Sequence, residues 1–82
     1  MGKPVRFVKV EPDAWYYFTF GHGHEHYGYY VKIKGTYAVA RAKMFERYGD
    51  KWAFQYSEED WQKIIDDPHR WWPMEEELEV IE

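Results

Sequence analysis

Apolar residues recur along this chain first at every second position, then at helical spacing, then at every second position again. Residues 5–10 alternate apolar and basic side chains before Pro12-Asp13, which predicts a first strand at a sheet edge. Residues 15–20 predict a second strand with rings on both faces, Trp15 and Tyr17 on one and Tyr16, Phe18 and Phe20 on the other. A long turn over residues 21–28 leads into a third strand over residues 29–34. Tyr29, Val31 and Ile33 face one way there, and Tyr30, Lys32 and Lys34 the other. The second and third strands are expected to pair as a hairpin.

The period then changes to 3.6. Thr36 is expected as the N-cap and Gly49 as a C′ residue. Between them Tyr37, Ala38, Ala40, Met44, Phe45 and Tyr48 form a broad apolar stripe. Residues 52–56 predict a fourth strand, with Trp52, Phe54 and Tyr56 on one side and Ala53 and Gln55 on the other. These rings and Trp61 read as core. Ser57 followed by Asp60 resembles a capping box that opens a short helix, with Trp61, Ile64 and Ile65 on one face and an end before Pro68. Residues 69–73 form a Trp-rich connector, and residues 78–81 suit either a strand or a helical turn. The expected fold is α+β in the order β-β-β-α-β-α: an antiparallel sheet of about four strands with two helices on one face. Residues 1–82 read as a single domain, since no repeat and no linker divides them.

Composition narrows the function classes. Aromatic residues make up 22% of the chain, and residues 15–30 alone hold eight rings, three glycines and three histidines. Such a surface suits stacking against a flat ligand. So short a chain has more apolar surface than one core can hide, which predicts a homo-oligomer, a dimer or tetramer. The absence of cysteine fits a reducing cytoplasm. No apolar run reaches membrane-spanning length, and no signal-peptide pattern is present, so no membrane partner is expected. Residues 1–56 carry nine Lys/Arg against five Asp/Glu, and residues 57–82 two against ten. The first part is therefore +4 and the tail −8, a balance that disfavours long nucleic acid yet leaves cations for a small phosphorylated ligand. No phosphate-cradling, dinucleotide-binding or nucleophile motif occurs, so neither a cofactor nor catalytic residues are assigned.

Two features remain as candidate chemistry. Arg41 falls inside the apolar stripe of the first helix, where its guanidinium needs an anion. It can form a structural ion pair, snorkel to the rim, or grip a phosphate or carboxylate through its planar fork. His22, His24 and His26 stand at alternate positions. They can form a polar turn, ligate zinc or nickel with Glu25 or His69, or surround an anion together with glycine N–H groups. Gln55 suits the edge of a purine or a ladder bond, and Trp71-Trp72 a core edge, a subunit contact or a pocket lid.

YYFTFG over residues 16–21, YVKIKGT over 30–36, ARAKM over 40–44 and YGDKWAFQYSEEDW over 48–61 resemble a family of small bacteriophage and prophage proteins. The similarity covers residues 15–61 and is most specific over 51–61. In that family a Gln is common where His24 stands and an acid where Val39 stands. The first departure weakens a metal reading, while Arg41 matches the family's arginine. Small early phage proteins often inhibit host defence, and the profile is similar in its physics to sponge proteins of the Sequestin and Lockin type. Those sequester nucleotide immune signals such as the cyclic ADP-ribose-type products of TIR-domain (Thoeris) enzymes. The resemblance implies a non-enzymatic binder of a small nucleotide-type signal acting in the cytoplasm of an infected bacterial cell. The expected ligand-binding residues are Phe18, Phe20, His22, His24, His26, Tyr30, Lys34, Arg41, Gln55 and Trp71, with no metal ligand. A protein-protein inhibitor of a host defence enzyme and a small metal-dependent enzyme using the histidines are the rival expectations.

Overall fold

The structure is a computed structural model and describes residues 12–69 and 76–82. The strand expected over residues 5–10 and the Trp71-Trp72 pair lie outside the described residues. Six elements follow in order: β1 (Ala14–Phe20), β2 (Tyr29–Gly35), α1 (Tyr37–Tyr48), β3 (Trp52–Ser57), α2 (Glu58–Asp66) and β4 (Glu76–Ile81). The α+β class is as expected, with four strands and two helices. The residues at 78–81 resolve as strand. No described helix is long and apolar enough to cross a membrane.

The strands form one sheet in the order β3-β1-β2-β4. β1 pairs antiparallel with both β2 and β3, whereas β4 runs parallel to β2. The sheet is therefore mixed, which corrects the expectation of an all-antiparallel one. The reason is connectivity. Strands joined by a tight turn must run antiparallel, but a strand that returns after a helix can lie parallel to its neighbour. β2, β3 and β4 all point the same way, and α1 and α2 are the crossovers between them.

Those crossovers also correct the expectation that both helices share one face. The step from β2 to β3 moves across the sheet in one direction, and the step from β3 to β4 moves back. Two crossovers of the same hand going in opposite directions must pass over opposite faces. Side chains bear this out. Tyr16, Phe18 and Phe20 of β1 join Val31, Ile33, Ala40 and Met44 in the core under α1. Tyr17, pointing the other way, stacks on Trp61 of α2 with centroids 4.9 Å apart and planes 4° from parallel. Tyr30 and Tyr56 close around the same indole at 5.0 and 5.8 Å. Each face of the central strand is thus buried by a different helix, which explains why β1 carries rings on both sides.

Local signals set where the helices start. Thr36 Oγ1 accepts from the Val39 N–H at 3.2 Å, and Ser57 Oγ from the Asp60 N–H at 3.1 Å. The Gly49 N–H donates to the Phe45 carbonyl at 2.8 Å, with φ +71°, as a C-terminal glycine cap requires. α1 is less buried than its stripe predicts. Ala40 and Met44 are fully enclosed, but Tyr37 and Phe45 remain exposed.

The register of β3 is broken by one residue. Thr19 opposes Phe54 and Phe20 opposes Trp52, so Ala53 is a bulge. The slip turns Trp52 to the α1 side, where it meets Phe18 edge-on at 5.1 Å. Phe54 stays on the other side and is 63% exposed. Trp52, Phe54 and Tyr56 therefore do not share a face, and Phe54 is not core. At the opposite edge, Arg47 and Tyr48 of α1 both donate to the Glu79 carboxylate of β4. The Tyr48 bond and then Arg47 hold Glu79 below the ordinary carboxylate range. Burial, reinforced by Glu79, pushes the Tyr48 phenol up to about 12.

Candidate functional site

The bulge at Ala53 builds the most coherent polar constellation among the described residues. By sending Trp52 to the α1 side, it sets an indole beneath Arg41, whose guanidinium carbon lies 4.8 Å from the Trp52 centroid and 5.4 Å from that of Phe45. Gln55, two positions beyond the bulge, reaches the same helix. Its Nε2 donates to the Tyr37 carbonyl at 3.0 Å, and its Oε1 accepts from Arg41 Nη1 at 3.5 Å. α1 is held in place at its start by Gly35, where a Cβ would come within 3.1 Å of Val39 Cγ1. Gly35 has φ +155°, so a side chain there meets both strain and contact.

Tyr37, Arg41, Phe45, Trp52 and Gln55 line an opening of about 310 Å³ between α1 and β3. Among the described residues, no carboxylate pairs with Arg41. Asp50 also borders the opening without bonding to it. The ion-pair alternative for Arg41 is thus not what the described residues provide. Cation–π contact with two rings and one long amide bond leave most of the guanidinium's five N–H donors uncommitted. The Trp52 Nε1 is buried with no acceptor. An unmatched N–H costs about 1–3 kcal/mol, so Trp52 is held by packing against that cost.

The histidines are arranged otherwise. His24 Nδ1 accepts the backbone N–H of His26 at 3.0 Å, which leaves the neutral ring's proton on Nε2. The His24 and His26 rings pack on Phe20 at 4.7 and 5.2 Å, while His22 turns away to Tyr27 at 5.3 Å. The chain doubles back through the bonds His24 N–H to Gly21 O and Tyr27 N–H to His24 O, both 3.0 Å, with Gly23 and Gly28 at positive φ. The bend parts His22 from His24 and His26, whose rings lie 5.4 Å from each other, and among the described residues no group of three or more ligating side chains could hold a metal. Their arrangement is that of a turn in which His24 and His26 cap Phe20.

The ten expected site residues therefore separate. Arg41 and Gln55 come together. Phe18 is fully buried and Phe20 almost so, with their faces taken by Trp52, Tyr48 and the histidines. Neither can stack a ligand, which corrects their assignment. His24 and His26 attend Phe20, and His22 stands apart. Tyr30 and Lys34 lie on the α2 face, since they oppose Thr19 and Trp15 across the ladder. Arg41 and Lys34 thus cannot grip one phosphate, because strand alternation puts the whole sheet between them. Burial raises the Tyr30 phenol, helped by Glu77 and Tyr17. Trp71 lies outside the described residues. Trp52, Phe45 and Tyr37 were missed as site residues. A bulge leaves no mark in period-two patterning, so Arg41 and Gln55 alone pointed to this place. No family model, curated protein or solved structure significantly matches the chain.

Proposed function

We infer that this chain is a non-enzymatic binding domain for a small, flat anion of nucleotide type, received at the opening between α1 and β3. The observation that carries the reading is Arg41: a guanidinium laid on Trp52, without a carboxylate partner among the described residues, beside the Gln55 amide. A planar fork held on an indole is pre-organised for the paired oxygens of a phosphate, and the flanking rings suit a base. The opening is at the small end of ligand pockets, matching a mononucleotide-sized group. Among the described residues no nucleophile–base pair accompanies it, so the site suits holding a ligand. The phage resemblance supplies a setting in which holding alone is useful, the withdrawal of a nucleotide immune signal.

Calorimetric titration with AMP, ADP, cyclic ADP-ribose and inorganic pyrophosphate tests this, with Arg41→Lys as the control. Saturable binding of a nucleotide that Arg41→Lys weakens tenfold or more is expected. No binding by any of them, with no small molecule released from the heated protein, would sink the reading. The protein-inhibitor alternative is favoured by one observation: Tyr37 and Phe45 are 47 and 42% exposed around the same opening. A partner protein in place of nucleotides would assign those rings to an interface.

A further inference from the structure

The opening between α1 and β3 holds charges of both signs, for Asp50 lines it together with Arg41. Tyr37, Arg41 and Phe45 follow one another along α1 at four-residue steps, about 6 Å of helix each, and line one side. Gln55 marks the Tyr37 end, since its Nε2 donates to the Tyr37 carbonyl at 3.0 Å. Asp50 marks the other end. The Gly49 N–H caps the Phe45 carbonyl at 2.8 Å, and its φ of +71° turns the chain off the helix. Asp50 therefore lies between the last turn of α1 and Trp52 at the start of β3. The order along the opening is amide, guanidinium, carboxylate. Asp50 is exposed, and among the described residues its carboxylate makes no hydrogen bond and no ion pair.

The three polar groups ask for different partners. Arg41 only donates and takes an anion. Gln55 gives one amide hydrogen to Tyr37 and accepts once from Arg41, so a donor and an acceptor remain for a base edge that mixes the two. A carboxylate only accepts. Beside a phosphate site it is a like charge, which turns the phosphate toward Arg41, and only a donor-bearing part of the ligand can lie against it. The paired donors common to all ribonucleotides are the vicinal ribose hydroxyls, two O–H groups for two carboxylate oxygens. We propose that Asp50 is the ribose anchor of this opening: it accepts the 2′ and 3′ hydroxyls while Arg41 holds the phosphate, so that the site selects ribonucleotides over deoxyribonucleotides. The inference rests on the nucleotide reading. Dinucleotide-binding folds use an acidic side chain on ribose in the same way, although their glycine motif does not occur in this chain.

Calorimetric titration of the full chain with AMP and 2′-deoxy-AMP tests this. The wild type should bind AMP at least tenfold more tightly, the loss of one hydrogen bond to a charged group. Asp50→Ala should weaken AMP by tenfold or more and erase the preference between the two. Its thermal melt should match the wild type, because Asp50 is exposed and bonds to nothing among the described residues. Equal affinity of the wild type for the two nucleotides, or a preference that survives Asp50→Ala, would overturn the ribose anchor. GMP and 2′-deoxy-GMP close the remaining route, since the N1–H and N2–H groups of guanine are also paired donors. If both bind far more tightly than AMP and Asp50→Ala removes that advantage, Asp50 reads the base and the ribose anchor falls. The two levels of failure are distinct. If AMP and 2′-deoxy-AMP bind equally and Arg41→Lys weakens both, the nucleotide reading stands without the anchor. If no nucleotide binds, both fall.

Discussion

At the residue scale, two arginines on one helix have opposite fates. Arg47 meets Glu79 through two bonds, and Tyr48 adds a third to the same carboxylate. Arg41, two turns earlier, meets rings and an amide. Arg41→Lys is therefore expected to spare the fold, since no ion pair among the described residues is lost and the lysine stem covers Trp52 while its head moves outward. Thermal melting should change little, whereas nucleotide affinity falls tenfold or more, the loss of one charge-assisted bond. A large drop in Tm would instead make Arg41 structural. The Glu79 cluster has a defined pH signature. Its carboxyl is depressed when folded, so its stabilisation is present above the ordinary value of 4.5 and lost as pH falls through the folded value. The Tyr48 phenol is raised, so its share holds below 10 and is lost as pH rises through about 12. Melting curves across pH should show both limbs, and Glu79→Gln should flatten the acid one. Tyr48→Phe should cost about 1 kcal/mol, a fall of about 4–8 °C in Tm. An unchanged acid limb in Glu79→Gln would assign it to other carboxylates.

At the element scale, α2 depends on one side chain. Its nine residues are too few for an isolated helix, so its order comes from the Ser57 cap and from Trp61 lying on Tyr17. Trp61→Ala should cost about 3–5 kcal/mol, a large share of what so small a domain possesses. Trp61→Phe should retain most of it. Circular dichroism in the near ultraviolet, where the stacked pair absorbs, would report the loss, and an unaltered spectrum and Tm would contradict this role. The hairpin turn is the converse case. Its histidines look like a function in the sequence, whereas in the structure His24 and His26 cap Phe20 and His22 packs on Tyr27, with glycines providing the bends.

For the whole molecule, the balance is between two thin cores on either side of one sheet. The apolar contacts of α1 and α2 close over β1 without any ligating cluster among the described residues. Melts with and without a strong chelator should coincide, and a drop of many degrees with chelator would show that the His22–His24–His26 turn binds a metal that organises the fold.

The amino-acid pattern alone determined most of the elements and their order. Period-two runs marked β1, β2 and β3, the 3.6-residue stripe marked α1, and Thr36, Gly49 and Ser57 marked helix ends, because such local preferences act over one or two turns of chain. It also singled out Arg41, since a guanidinium among apolar neighbours is anomalous whatever lies above it. Which elements meet was decided by tertiary structure. The rings on both faces of residues 15–20 said that both faces are buried, but only the opposed crossovers put α1 on one and α2 on the other. β4 became strand and parallel because of its place beside β2 after α2, and its acidic sequence has no periodicity that says so. The Ala53 bulge arose from matching β3 to β1 across the sheet. One residue of slip turned Trp52 under Arg41 and left Phe54 outside, and register of that kind is a relation between two strands that neither strand carries by itself.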